Sequence, residues 1–360
     1  GVVANRSQQW DYGSCKRFAT AAEAARMTSI LALHAPDGFL NIPTSVVTAV
    51  LSFAIVAIAI RMTGRTLRDK QVPLAGIAAA FIFAAQMFNF PVAAGTTGHL
   101  LGGALAAVLL GPGMGALVVT VVVIIQALAF ADGGISALGY NVLNMALVTA
   151  FGGWAAFLGF RRILPRTVNG VSGAAGLAAM VSVVLSSMAF SVEWLFGATV
   201  AVPFTTVFGA MVSVHLLIGI GEGVITALVV RSVLAVRPDL VEGAAGLELD
   251  TRETKPMAAL TIGGVIASFV VAMVVSQFAA PDPDGLERVA EDTGFIEAGE
   301  DSPLSGSIFA DYATAGIENE AASLAVAGAV GTAVTLLIGL GLASTVRRSK
   351  RDEQSVELPR

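Results

Sequence analysis

The chain has 360 residues, of which 55% are hydrophobic and 13% charged, with a formal net charge of −5 and a mean hydropathy of +0.79. Soluble domains carry about a quarter charged residues, so this composition excludes a soluble domain and describes an integral membrane protein. Nucleic-acid binding has no basic patch to support it, no Gly-rich loop ending in Gly-Lys-Ser/Thr is present to cradle nucleotide phosphates, and the single cysteine, Cys15, excludes an intrachain disulfide.

Residues 1–32 read as a non-native or removed extension, because Gly1 is not an initiator and the stretch has no apolar signal core. Apolar spans are then expected at about 43–61, 73–90, 97–110, 113–130, 138–160, 171–192 and 204–230. From Gln71 to Ala131 there is no Asp, Glu, Lys or Arg, and breakers divide this stretch at Pro91 to Gly95 and at Gly111-Pro112-Gly113. The third span is short, and the glycines at 95, 98, 102 and 103 allow it to pack closely or unwind. Such backbone is tolerated at membrane depth only against protein or a polar cavity.

A charged linker at 237–255 leads to two further spans, near 257–278 and 321–343. They bracket a loop, 279–320, with eleven acidic residues and Arg288 as its one base. The expected organisation is a membrane module at 33–236, a cytoplasmic linker, a two-helix module at 256–346 and a cytoplasmic tail at 347–360. The fold class is all-α, a polytopic helix bundle of about seven spans plus a two-span hairpin. Basic residues cluster at 61–70, 161–166, 231–255 and 347–351, so the positive-inside rule places these in the cytoplasm. Nine spans with an outside start then leave His34, 91–99, Asp132, Glu193 and the acidic loop facing out.

His34 and His99 stand where a membrane protein has no casual use for histidine. His34 opens the turn His34-Ala35-Pro36-Asp37-Gly38, and His99 lies inside the charge-free stretch. Imidazole is the commonest ligand of late first-row divalent metals. Each has a blander reading, as a solvated loop residue and as an interhelical hydrogen-bonding group respectively. His215 and Glu222 lie seven residues apart, on one helix face. An intramembrane carboxylate is a functional candidate, and a packing role within Gly219–Gly223 is the competing reading. Gln86 and Gln126 are expected to bond between helices. The acidic loop reads as a concentrator of cations or, more simply, as a solvated and partly disordered segment.

The surrounding motifs carry a resemblance. His-Ala-Pro-Asp-Gly-Phe-Leu at 34–40, Asn89-Phe90-Pro91-Val92, Gly95-Thr96-Thr97-Gly98-His99-Leu100-Leu101-Gly102-Gly103, Asn141-Val142-Leu143-Asn144-Met145 and His215 to Gly223 occur in that order. Together they resemble the membrane substrate-binding component of energy-coupling-factor nickel/cobalt transporters, the CbiM/NikM family, over about residues 33–235. Pro283-Asp284-Gly285-Leu286-Glu287 between two spans is similar to the PDGLE/NikN-type accessory subunit. The resemblance implies a non-catalytic subunit in the cell membrane, with Ni2+ or Co2+ as transported substrate. It implies as partners a transmembrane coupling protein and two cytoplasmic ATPase subunits. It implies a metal held by a terminal amine, the amide and imidazole of the next residue, and a later imidazole: here Leu33, His34 and His99. The chain departs from the pattern at Leu33, where the family starts with Met, and where an internal residue has no amine to offer. An initiation codon read as Met, or processing before Leu33, would each free it. Asn89, Thr97, Asn141, Asn144, His215 and Glu222 are expected near the site or its pathway, orienting ligands. A proton-coupled secondary transporter and a non-transporting sensor or scaffold are the competing functions.

Overall fold

A computed structural model describes residues 34–93, 95–246 and 256–357, with the backbone alone for Arg65 and 348–357. The extension 1–32 with Cys15, the proposed ligand residue Leu33, and linker residues 247–255 lie outside the described residues. The elements are α1 (Ile42–Thr66), α2 (Val72–Gln86), β1 (Phe90–Ala93), β2 (Thr96–Gly98), α3 (Gly103–Leu110) and α4 (Pro112–Ala129). There follow α5 (Leu138–Ile163), with a π-helical section at Val142–Val148, then α6 (Val168–Gly197) and α7 (Phe204–Val236). The C-terminal part holds α8 (Met257–Met273), the short α9 (Gly285–Thr293) and α10 (Glu320–Glu357).

The bundle is all-α apart from the hairpin β1–β2, an antiparallel pair with Phe90 opposite Gly98 that the sequence reading did not foresee. Among the described residues seven helices are long and apolar enough to cross a membrane: α1, α4, α5, α6, α7, α8 and α10. Two of the nine expected spans fall short of that length. Helix α2 has 15 residues and α3 has 8, about 22 and 12 Å at 1.5 Å per residue, short of the ~30 Å hydrocarbon core. Where a span over 97–110 was expected, strand β2 and an irregular stretch to Gly102 precede the helix. Gly102, at φ +80°, supplies the left-handed conformation that turns the chain into α3.

Both short helices still join the same two ends of the molecule. At one end Lys70 pairs with Asp239 at 2.7 Å, Arg68 with Glu242 at 3.2 Å, and Arg347 with Asp69 at 2.6 Å. The Arg237 guanidinium, helped by Lys70, holds the Asp239 carboxyl below its usual range. Gly111, after α3, faces Glu242 there. At the other end the Asn41 amide donates to the Gly197 carbonyl at 2.7 Å, Thr97 to Pro283 at 2.9 Å and Glu300 to Asp37 at 2.8 Å.

Helix α2 is buried along its length from Leu74 to Gln86, so it needs no lipid-facing surface and can be short. The helices of the C-terminal part wrap it through small residues: Leu340 packs over Gly76, Gly339 meets the same turn, and Gly264 sits on Ile77. Helices α6 and α7 approach closely at Gly176 and Gly223, where a Cβ on either would lie 2.7–2.8 Å from the other's carbonyl oxygen. This answers the role of the Gly-rich 219–223 run, at least for Gly223. The acidic 279–320 segment is not the disordered loop expected. It contains α9 and tight turns, and Phe295 is buried 5.0 Å from Phe39 and 4.4 Å from Trp194, ring centre to ring centre.

The two ends yield a topological prediction. In a Cys15→Ser background, cysteines placed at Ser302 and at Ser349 should react with an impermeant thiol reagent from opposite faces of the membrane. Reaction of both from one face would overturn the path.

Candidate metal-capture site

The segment 34–40 is fastened from every side before any ligand is considered. Asp37 accepts from the Ser136 amide at 2.7 Å, the Ser136 hydroxyl at 2.5 Å and the Ile135 amide at 3.1 Å. A carboxylate is thereby placed just ahead of α5, where its helix-end amides favour negative charge. Asn141 donates to the Ala35 carbonyl and Tyr140 to that of Pro36, each at 2.9 Å. Gly133 leaves room for His34, since a Cβ there would sit 2.8 Å from the His34 Cβ. The Pro-Asp-Gly turn is thus a fixed shelf that holds His34 inside the protein.

His99 is positioned by unwound backbone whose polar groups are satisfied by distant side chains. Glu222, fully buried on α7, accepts from the Leu101 amide at 2.7 Å and the Gly102 amide at 2.8 Å. Gln86 on α2 donates to the Leu101 carbonyl at 3.1 Å, and Thr97 donates to Asp282 and Pro283 through its hydroxyl. Glu222 therefore acts at the head of α3, where a carboxylate suits exposed helix amides.

The two imidazoles meet across a cavity. Their ring centres are 6.0 Å apart, with the rings tilted at 62°, a separation one ion can span with about 2 Å to a nitrogen of each. Both His34 ring nitrogens are buried without a hydrogen-bond partner among the described residues. Burial lowers the His34 pKa, against an opposing effect of Asp132, whose carboxylate lies 3.8 Å away; a neutral ring is the form that binds metal. The His99 Nδ1 lies 3.2 Å from the Leu100 carbonyl. A carbonyl can only accept, so Nδ1 is the donor in this contact. The cavity measures about 70 Å³. That suits an ion and a few atoms, far below the ~300 Å³ at which organic-ligand pockets begin. Among the described residues no group of three His, Cys, Asp or Glu side chains is arranged to hold a metal, so the histidine pair needs further donors.

Of the residues expected from sequence, His34, His99, Asn141, Asn144 and His215 line this cavity. Asn144 donates to Glu193 at 2.7 Å, from the π-helical section of α5, a distortion common at functional sites. Thr97 binds the 282–283 carbonyls beside it, and Glu222, on α7, holds the amides that lead into α3. Asn89 is not among the lining residues; its carbonyl accepts from Ala280. Sequence reasoning missed the role of two carboxylates. Asp132 faces His34 and receives a 2.5 Å hydrogen bond from Tyr312 of the C-terminal part, itself met by Gln126. Asp284 lines the cavity with its Oδ2 3.7 Å from the His99 Nε2. Asp132 ends the charge-free run and Asp284 sits within Pro283-Asp284-Gly285-Leu286-Glu287, so the sequence carried a signal for both.

The family model for the cobalt uptake substrate-specific transmembrane region, CbiM, matches residues 34–240. The chain belongs to the CbiM family. A PDGLE domain model matches residues 258–348. The "Putative fused nickel transport protein NikMN" of Archaeoglobus fulgidus is 35% identical over 319 residues, covering 88% of this chain and 99% of that protein. The fused nickel transport protein NikMN of Rhodobacter capsulatus is 30% identical over 349 residues, covering 89% and 99%. A solved truncated transition metal transporter is 32% identical, covers 56% of this chain and 98% of its own, and superposes with a TM-score of 0.49. With its seven long apolar helices, this CbiM-family chain is a multi-pass membrane protein of the nickel/cobalt transport family.

The position of Glu222 sets a test. Glu222→Ala leaves two buried amides without their acceptor, a loss of about 2–4 kcal/mol, and loosens the segment that carries His99. Thermal unfolding in detergent should fall and metal retention with it, whereas Glu222→Gln, which keeps an acceptor oxygen, should fall less. Unchanged unfolding of the alanine variant would remove Glu222 from this role.

Proposed function

We propose that the chain is the substrate-capture subunit of an ATP-driven energy-coupling-factor importer for Ni2+ or Co2+, with its PDGLE module fused at the C-terminal side. The carrying observation is the buried His34–His99 pair across a cavity of ion size, with neither His34 nitrogen hydrogen-bonded among the described residues. The chain binds and does not catalyse. ATP hydrolysis belongs to two cytoplasmic ATPase subunits, coupled through a separate transmembrane protein. The names of the relatives, which speak of nickel and cobalt transport, support the ions; the coupling scheme comes from the family resemblance. The basic clusters at the Arg68–Arg347 end support a cytoplasmic position for that end, with the cavity outside.

The proposed donors are the amine of residue 33 as chain terminus, the amide and imidazole of His34, and His99. Amine, deprotonated amide and imidazole of consecutive residues close five- and six-membered chelate rings in one plane, and a fourth nitrogen gives the tetragonal field that suits Ni2+. A donor set drawn largely from main chain agrees with the lack of a three-side-chain cluster among the described residues. Proton-coupled transport through Glu222 is less well supported, because both of its oxygens accept main-chain amides. A sensor or scaffold would bind metal without supporting ATP-dependent uptake in vesicles holding the partner proteins.

Three experiments test this. His99→Ala removes one nitrogen of four and His34→Ala breaks a chelate ring as well, so both should lose metal binding while remaining folded. Binding should also weaken on acidification, since each donor must shed a proton. A chain initiated with Met directly before His34 should bind and transport. The 360-residue chain, with its N-terminus verified intact by mass spectrometry, should do neither; equal activity from it would exclude the terminal amine as a ligand.

A further inference from the structure

Among the described residues, three other than glycine adopt the left-handed backbone conformation: Ala131 (φ 54°), Asp311 (φ 53°) and Tyr312 (φ 57°). A Cβ makes that conformation unfavourable, and it persists where the surroundings impose it, often at functional sites. All three stand at one contact between the bundle and the C-terminal module. The Asp311 amide donates to the Phe130 carbonyl at 2.8 Å, and the Asp132 amide turns back to the Gln126 carbonyl at 3.1 Å. The Tyr312 ring stacks on Phe130, 5.0 Å between centres. At the middle of the contact the Gln126 side-chain amide donates to the Tyr312 hydroxyl at 2.9 Å, and that hydroxyl donates to the Asp132 Oδ2 at 2.5 Å. Because Gln126 occupies the acceptor side of the hydroxyl, its proton is directed at Asp132.

The carboxylate held in this way is buried, and its Oδ1 accepts no hydrogen bond among the described residues. No described lysine or arginine is paired with it; Oδ1 faces the His34 ring, 3.8 Å from Nδ1. Asp132 is not a cavity-lining residue, so the His34 ring is its link to the site. A buried carboxylate without a cation is costly, and the cost is explained in a chain that receives one. Imidazoles bind metal as neutral groups, and the deprotonated amide of the proposed chelate offsets only part of a divalent charge. An occupied site therefore holds a net positive charge inside the protein. We propose that Asp132 is the counter-charge of the captured ion, acting across His34 without ligating the ion, and that Tyr312 is the positioning residue that aims it. This rests on the capture site proposed above and gives the fused PDGLE module a part in it. The bundle supplies the carboxylate, and the module supplies the hydroxyl and the strained turn that fix where it points.

The test uses the chain initiated with Met directly before His34, purified in detergent and titrated with Ni2+. Asp132→Asn keeps an oxygen to accept from Tyr312 and removes the charge. Its metal-free melting temperature should equal or exceed the parent's, since an unpaired buried charge is gone. Its Kd for Ni2+ should rise about tenfold or more, with the visible spectrum of the bound ion unchanged, because no ligand has been lost. Tyr312→Phe keeps the ring against Phe130 and frees the carboxylate to turn from His34, so its Kd should rise by about threefold or more. In the Asp132→Asn background the same change should add nothing to Kd, as expected of two residues acting through one interaction. Parent-like Kd in Asp132→Asn, with binding abolished in His99→Ala, overturns the counter-charge alone. Parent-like binding in His99→Ala overturns the capture site itself. An altered spectrum in Asp132→Asn puts the carboxylate on the ion and overturns action across the ring. A metal-free melting temperature that falls together with affinity assigns Asp132 to structure and overturns the proposal. An undiminished Tyr312→Phe effect in the Asp132→Asn background removes Tyr312 from it.

Discussion

Backbone that leaves helical form inside a membrane protein must find its hydrogen bonds elsewhere, and residues 96–102 meet that requirement with partners from four other elements. β1 pairs with β2, Pro283 takes the Thr97 amide, Gln86 serves the Leu101 carbonyl, and Glu222 takes the amides of Leu101 and Gly102. Everything else at the site presupposes this. Without those partners the glycine-rich stretch would relax into helix or leave the interior, and His99 would lose its place opposite His34. The cost of opening a span is met by a carboxylate at a helix head, where backbone amides welcome it.

The histidine pair is built from unlike supports. His34 rides on a turn clamped by α5 and the residues before it, whereas His99 hangs from an irregular segment tied to α2, α7 and the C-terminal module. Each ring has a carboxylate close by, Asp132 and Asp284, and each carboxylate is fixed by the C-terminal module: the first through Tyr312, the second through its own helix cap. The buried α2, wrapped by α8 and α10 through Gly76, Gly264 and Gly339, joins the module to the bundle below the cavity. Phe295 between Phe39 and Trp194 joins it above.

Much of this was legible in the sequence. Long apolar runs gave the helices, since lipid imposes length and composition together. The glycines at 95–103 marked the break, and the motifs around His34 and His99 marked the pair. What could not be read was which distant groups would satisfy the broken segment. Glu222 looks alike in sequence whether it relays protons, packs, or caps a helix 120 residues earlier in the chain, because only folding brings it to Leu101. The length of α2 was misread for a similar reason. An apolar run of given length reports hydrophobicity, and α2 is hydrophobic because protein surrounds it. The acidic segment 279–320 misled by composition: its charges suggest solvation, yet Phe295, Tyr312 and Asp284 are buried and anchor it.

The continuity of the chain from residue 246 to residue 256 has a consequence for how the cavity closes. A segment that covers a site as a separate subunit must find it by diffusion, and its coverage depends on how much of it the cell makes. Here the covering segment is tethered to the bundle, and tethering of this kind holds a partner at an effective concentration of about millimolar. Every copy of the bundle therefore carries its own cover in fixed one-to-one proportion, and recovering the site after an opening is a unimolecular event, indifferent to dilution.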